Sequence, residues 1–391
     1  MSNSRKVVNG LTQCRLCSSK SLNSVVNLSG FPLAAQFFLA DPLKSDSDIP
    51  VTLSIVHCLA CGLVQLANTP VDYYRDVITA AALSPKSKEQ LLDEWAPIIS
   101  KYALQGKKCL EVGAGKGDFL PVLDSLNVAA EGIEHSTENI EACRVKLLSV
   151  KQGYLLEDRS VERYSLVVSN NYLEHQPETG LFLKKLVSLL SDEGILYLSV
   201  PNLDYLLEKS CLYEFVADHL VYFTQKTLRR ACEINSLDVI EQYTKNNGND
   251  LVVIAKKRIA LNVSEDLVFV KEISDSLKCV VSQAKKKNKK IAVWGAGHRA
   301  LALMAISDLS EIDVVVDSAT FKQGKYTPLL HKKIISPDEL LRSGCNLLIV
   351  MLPGNFAKQI ESFIMDNKLD CEVIVFEDKK LTIDTDIILE R

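Results

Sequence analysis

The chain has 391 residues, 47% of them apolar and 24% charged, with a formal net charge of −4 at neutral pH. That length predicts two or three domains of ordinary globular composition rather than one core. The weak negative charge argues against a general nucleic-acid or membrane-surface role, and no apolar run approaches the roughly 18–20 residues that a membrane span needs.

The opening MSNSRKVVNG lacks the apolar core of a secretion signal, so a cytoplasmic location is expected. The eleven cysteines are then not read as a disulfide framework. Two pairs stand out, CRLC (Cys14, Cys17) and CLAC (Cys58, Cys61). A two-residue gap lets one tight turn present two thiolates to one ion, and four thiolates close a tetrahedral zinc shell. Gly62 follows the second pair, where a knuckle turn favours a glycine at positive φ. Four sulfurs leave no open position for water, so the predicted zinc is structural and holds a small N-terminal domain over residues 1–72. The other seven cysteines lie mostly among apolar neighbours and read as core fillers.

From about residue 90 the pattern alternates between helix and strand. QLLDEWAPIISKYAL has helical spacing, KKCLEVGAG is a short strand entering glycines, and GDFLPVLDSL is a helix. AAEGIEHS is the next strand, NIEACRVKLL a helix, YSLVVSNNYLEH a strand running into a loop, LFLKKLVSLL a helix and GILYLSVPN a strand. Such alternation predicts a parallel sheet covered on both faces, with ligands beyond the carboxyl ends of its strands.

The loop Glu111-x-Gly113-x-Gly115-x-Gly117 departs from the dinucleotide fingerprint. An acid at the strand end repels a pyrophosphate and suits a ligand with a cationic amino-acid end. Glu134 ends the next strand, 21 residues after Gly113, where a carboxylate can accept ribose hydroxyls. Ribose without phosphate, joined to an amino acid, describes S-adenosylmethionine. On these residues the segment resembles the class I methyltransferases. That resemblance implies that Glu111 and the three glycines face the methionine end, that Glu134 faces the ribose, and that Asn170 in NNYLEH lies near the cofactor.

The order of parts is more specific still. A CxxC…CxxC module followed by CGLVQL, the glycine-loop core, VPNLDYLL, DHLVYFTQKTL and a second α/β domain resembles the three-domain sugar C-methyltransferases, which act on nucleotide-linked 4-ketosugars. The resemblance implies zinc in the first domain, cofactor in the second and the sugar nucleotide between the second and third. It also implies that His219 is the catalytic base and that Asp218 takes the place of the usual Glu or Gln beside it. A base near neutrality best removes a proton beside a ketone, which suits histidine. Asp218 and His219 could instead only cap the helix TQKTLRRAC. His175 is the other candidate base, or a support for its loop. Two departures stand against the family pattern: Val216 replaces a tyrosine, and DYYRDVITAAALSP keeps Tyr73 and Tyr74 as candidate substrate contacts but then runs into alanines.

KKKNKK, residues 285–290, reads as a solvated helix end ahead of a strand. KKIAVWGAGHRALALM then places Gly295, Gly297 and Ala300 in a G-x-G-x-x-G/A pattern, with Asp317 where a ribose-binding acid belongs. Only four strands are predicted here, KIAVW, IDVVV, NLLIVM and EVIVF, half of a dinucleotide fold. The resemblance offers another use: the loop, His298 and Arg299 facing the pyrophosphate of a nucleotide sugar, with PGN at 353–355 on the same edge.

The expected architecture is therefore α/β: a small zinc-binding domain (1–72), a Rossmann-like class I methyltransferase sheet (73–258) and a C-terminal Rossmann-like substrate-binding domain (259–391). The expected activity is S-adenosylmethionine-dependent C-methylation of a nucleotide-linked ketosugar by a monomer or homodimer, with no nucleic-acid or membrane partner. The alternatives are O- or N-methylation of a related sugar, an NAD-linked oxidoreductase using the Gly295 loop, and a non-catalytic nucleotide-sugar binding protein.

Overall fold

The computed structural model describes residues 10–33, 49–76, 84–351, 355–377 and 380–383. The alanine run after Tyr74 and the residues Pro353 and Gly354 lie outside them. By contact the chain divides into two units, residues 1–259 and 260–391.

The first unit opens with a hairpin of β1 (Leu22–Phe31) and β2 (Val51–Cys58), followed by the short β3 (Val64–Leu66), all antiparallel. Helix α1 (Pro85–Lys101) follows, capped by Ser84, whose side chain accepts from the Ser87 amide, with Pro85 in the first turn where its missing N–H costs nothing. The sheet then builds through β4 (Lys108–Val112), α2 (Leu120–Ser125), β5 (Ala129–Glu134), α3 (Thr137–Val145), β6 (Val150–Gln152) and β7 (Tyr164–Asn170). A 3-10 turn at Leu173–His175 leads to α4 (Thr179–Leu189) and β8 (Leu190–Pro201). Helix α5 (Leu203–Glu208), β9 (Val221–Tyr222), α6 (Gln225–Ile234) and the hairpin β10 (Leu237–Lys245) and β11 (Asp250–Lys257) complete the unit.

The central sheet has seven strands in the order β10-β11-β8-β7-β4-β5-β6. Its strands β8, β7, β4, β5 and β6 are parallel, as expected, and apolar on both faces where they are central. Beyond the four strands expected from the sequence, β11 joins the sheet antiparallel to both β8 and β10. The hairpin turn at Asn246–Gly248 allows no crossover helix, so the chain must reverse there.

Strand β9 pairs with β3, so a segment between the central-sheet strands β8 and β10 completes the zinc-side sheet, β1-β2-β3-β9. Contact is also close at α4: a Cβ on Gly180 would stand 2.3 Å from the carbonyl oxygen of Leu16. Only a glycine lets this helix start meet the first cysteine knuckle, and its amide donates to the Arg15 carbonyl at 3.0 Å.

The second unit runs α7 (Ser264–Lys286), β12 (Ile291–Trp294), α8 (His298–Ile306), β13 (Val314–Val316), β14 (Ile334–Ile335), α9 (Pro337–Leu341), β15 (Leu347–Val350), α10 (Asn355–Asp366), β16 (Glu372–Glu377) and β17 (Lys380–Ile383). All four predicted strands form, and β14 and β17 extend them to six, ordered β14-β13-β12-β15-β16-β17. Both extra strands are edge additions, too short or too terminal to show a periodic pattern. The lysine run does end a helix: α7 stops at Lys286, and Lys285 pairs with Asp313 at 2.6 Å.

Candidate functional site

The zinc centre is the most localised site. Cys14, Cys17, Cys58 and Cys61 carry free thiols whose sulfurs all lie within 4.8 Å of one another. Cys14 Sγ is 3.6 Å from Cys61 Sγ, and Cys17 Sγ is 3.6 Å from Cys58 Sγ. A tetrahedron with Zn–S bonds of about 2.3 Å has sulfur–sulfur edges of about 3.8 Å, so the four residues fit the ion. Gly62 has φ +85°, as the knuckle requires. Arg15 braces the knuckle, its guanidinium donating to the Asn68 carbonyl at 2.8 Å. Of the other cysteines, Cys109, Cys143, Cys232 and Cys345 are buried as predicted. Cys279 is exposed and Cys211 and Cys371 are half-buried, because they sit on a helix face or at a turn rather than in the sheet.

The glycine loop after β4 frames the second site. Gly113, Gly115 and Gly117 all adopt positive φ, at 78°, 54° and 72°. Glu134 bridges the loop to the end of β5: Oε2 accepts from the Gly115 amide at 2.8 Å and Oε1 from the Ser136 amide at 2.8 Å. A cavity of about 280 Å3 lies over the loop, lined by Glu111, Gly113, Gly115, Asn170, Ser199 and Asp250 among others. Glu111 is buried, and burial pushes its carboxyl up to about 8 against the opposing effect of a hydrogen bond from Asn170. Its Oε2 has no partner among the described residues. An orphaned, buried carboxylate oxygen beside a glycine loop fits the ammonium of an amino-acid ligand. Ser199 Oγ donates to Asn170 Oδ1 at 3.2 Å and Asn171 Oδ1 at 3.0 Å, fixing the end of β7. Asn171 and Ser199 were not singled out from the sequence; short polar residues at the ends of buried strands were the available signal.

Tyr73, His175, Asp218 and His219, from three separate segments, come together. Tyr73 donates its hydroxyl to Asp218 Oδ1 at 3.0 Å. His175 Nδ1 lies 2.9 Å from the Asp218 carbonyl, so it carries the proton and leaves Nε2 a lone pair. The two imidazoles stand edge to face, centroids 4.8 Å apart and planes at 85°. The capping alternative fails, because Thr224 caps α6 in a box with Thr227 and neither Asp218 nor His219 takes part. The expectation of a near-neutral base meets an opposing effect at His219. Burial first, and then the neighbouring His175, push His219 down to about 3. Burial likewise lowers His175.

Val216 has a specific neighbour. Its amide donates to the Tyr222 hydroxyl at 2.9 Å, and that hydroxyl donates to the Val216 carbonyl at 3.2 Å. Tyr222 is therefore tied to backbone and supplies no free hydroxyl in place of the missing one. Tyr74 packs with Tyr154 and Arg75. Its ring meets Tyr154 edge to face, with Arg75 5.5 Å from its centroid. Glu174, next to His175, was missed in the sequence. It is buried with Oε2 unpartnered, and burial raises its carboxyl to about 8.

In the second unit Gly295 has φ +124°, and Gly297 caps α8, whose first residues His298 and Arg299 are exposed. Asp317 repeats the geometry of Glu134: Oδ2 accepts from the Ala296 amide at 2.9 Å and Oδ1 from the Ala319 amide at 2.8 Å. It also holds a lysine, Lys322 Nζ at 2.8 Å. That pairing neutralises the carboxylate and does not favour an NAD ribose there.

Comparison with known proteins agrees with this geometry. Residues 14–71 match a zinc binding domain family, residues 87–242 a methyltransferase domain family and residues 268–367 a C-methyltransferase C-terminal domain family. C-methyltransferase NovU from Streptomyces niveus is 22% identical over 370 residues, spanning 85% of this chain and 87% of that protein. A ubiquinone biosynthesis O-methyltransferase from Bradyrhizobium diazoefficiens is 27% identical over 113 residues, 27% of this chain and 44% of that protein. The solved magnesium protoporphyrin IX methyltransferase from Synechocystis, with SAH bound, is 15% identical and covers 46% of this chain and 90% of its own, at a TM-score of 0.37.

The fold and the glycine-loop pocket define an S-adenosylmethionine-dependent methyltransferase with a four-cysteine zinc centre. With a zinc-binding module ahead of the catalytic sheet and a match to a C-methyltransferase C-terminal domain behind it, the chain is similar along most of its length to a zinc-containing C-methyltransferase.

Proposed function

We propose that the chain methylates a carbon of a nucleotide-linked ketosugar, with His219 as the base. The observation that carries this reading is the cluster of Tyr73, His175 and His219, each half-buried, around the buried Asp218. It offers a neutral imidazole, a carboxylate and a hydroxyl donor, the set a carbon acid needs. The name of the NovU relative supports carbon as the acceptor, and the resemblance of DHLVYFTQKTL supports the sugar.

The bound cofactor supplies an electrophilic methyl group on a sulfonium. Glu111 and the glycine loop bind its amino-acid end and Glu134 its ribose, with Asn170 beside them. His219 takes the proton from the carbon beside the ketone while Tyr73 and Asp218 orient the sugar. A negatively charged substrate beside His219 raises its low proton affinity toward the working range. His175, held by the Asp218 carbonyl, supports His219 from the side. A cavity of about 450 Å3 is lined by Tyr73 and Ala217 on the zinc-side sheet. Tyr74 is a weaker substrate contact than Tyr73, since its ring packs on Tyr154. Gly295, Gly297, His298 and Arg299 bind the pyrophosphate. We place the enzyme in the cytoplasm, as a monomer or homodimer without nucleic-acid partners; among the described residues no helix is long and apolar enough to cross a membrane.

One observation favours a second reading, O- or N-methylation. Val216 carries no hydroxyl and Tyr222 spends its own on the Val216 backbone, so the enolate oxygen has fewer donors. Deuterium exchange separates the readings. The wild-type enzyme should wash deuterium into the carbon beside the ketone in heavy water, and His219→Asn should not. Methyl transfer without any exchange favours the second reading.

A further inference from the structure

We propose that Glu174, His175 and His219 form a second metal site, one that takes a first-row divalent ion such as Zn2+, Co2+ or Ni2+ through two imidazoles and a carboxylate. The three offer ligand atoms that all lie within 4.8 Å of one another. His175 Nε2 is 4.0 Å from Glu174 Oε1. Bonds of about 2.0–2.2 Å set ligand atoms roughly 3–4 Å apart, so small side-chain rotations close the set around an ion.

Two further features point to a cation. Metal-bound histidines donate their second ring N–H to a carbonyl or carboxylate, which fixes the tautomer. His175 already does so, with Nδ1 on the Asp218 carbonyl at 2.9 Å and Nε2 turned to the cluster. Glu174 is 2% exposed, and its Oε2 has no partner among the described residues. A buried carboxylate oxygen without a donor is costly, and a divalent ion removes that cost. The two segments are also tied together, the Leu220 amide donating to the Glu174 carbonyl at 2.8 Å, so the ligands arrive on a joined frame.

Nitrogen and oxygen ligands distinguish this site from the thiolate centre and select borderline transition metals over Mg2+ or Ca2+. Three protein ligands leave a position open to water or a substrate oxygen. Where His219 is the base, the ion occupies its lone pair, so metal binding and proton abstraction exclude each other. That inhibitory consequence rests on the proposed function; the binding does not.

The test titrates the zinc-loaded full chain with Co2+. One equivalent should bind with visible d–d bands and without sulfur-to-cobalt charge transfer. X-ray absorption at the cobalt edge of the wild-type protein should show only nitrogen and oxygen neighbours, with imidazole outer shells. Glu174→Gln and His219→Asn should each weaken binding tenfold or more while retaining the structural zinc. No one-equivalent phase, sulfur neighbours around the cobalt, or unchanged affinity in zinc-retaining variants would overturn the site. The edge spectrum needs no variant and decides the matter even if both substitutions impair folding. Loss of methyl transfer in the variants bears on the base assignment and leaves the metal site untouched.

Discussion

The Tyr73 hydroxyl donates to Asp218 Oδ1 at 3.0 Å, joining residues 145 apart in sequence. Burial, then the Asp218 carboxylate, holds the Tyr73 phenol above its ordinary range, so it remains a donor at physiological pH. A hydrogen bond to a charged group contributes about 1.5–3 kcal/mol, which is roughly ten- to a hundredfold in rate when it acts in the transition state. Tyr73→Phe should lower kcat by that factor and leave S-adenosylhomocysteine affinity within about twofold. Steady-state kinetics with calorimetry check it; a change confined to cofactor affinity would remove Tyr73 from the substrate side.

Glu111 makes cofactor binding pH-dependent. Its carboxyl titrates at about 8 in the free pocket and must lose its proton to meet an ammonium. Affinity for S-adenosylhomocysteine should therefore rise with pH up to about 8, by at most tenfold per unit, and Glu111→Gln should flatten the rise. The sign for folding is opposite. Because the folded value is raised, Glu111 contributes stability that is fully present below its unfolded value and is lost as pH rises through about 8. Ligand-free Glu111→Gln should melt higher than wild type at pH 8. Calorimetry across pH reads both effects.

His219 gives a different profile. With its folded value lowered to about 3, the imidazole is neutral throughout the usual assay range. At saturating cofactor, kcat/KM for the sugar should show no inflection near 6.5 on its acid limb, since that parameter reports the free enzyme's groups. Protonation opposes the fold, so this residue's effect on stability is a loss as pH falls from about 6.5 toward 3. An inflection at 6.5 that vanishes in His219→Asn would contradict the burial argument.

The zinc knuckle bears on the whole first unit, because Gly180 opens α4 against Leu16. Gly180→Ala forces that contact apart and should cost about 1–3 kcal/mol by overpacking, with zinc retained. Cys58→Ser should lose the zinc and lower the melting temperature of the methyltransferase sheet as well. Denaturation monitored with metal analysis separates the two.

The parts of this molecule legible in the sequence are those with local signals. The strand-and-glycine loops at Glu111 and Gly295 and the paired cysteines announce themselves through spacing alone. The hairpin β10–β11 was less visible, since its strands follow one another without the helix that marks the rest. The joining of β9 to β3 depends on a two-residue strand far along the chain, which no pattern reveals. The cluster around His219 was readable as residues but not as a geometry. Nothing local shows that Tyr73 reaches Asp218, or that Tyr222 is consumed by the backbone of Val216. The low proton affinity of His219 was also out of reach, because burial is a property of the assembled fold.

The most direct measurement supplies methyl-labelled S-adenosylmethionine and a panel of nucleotide-linked ketosugars to the purified, zinc-loaded protein, and reads the product by carbon NMR. The account predicts the label on a new carbon–carbon bond beside the ketone, with none formed by His219→Asn. Label found on oxygen or nitrogen, or carbon methylation undiminished in His219→Asn, would contradict it.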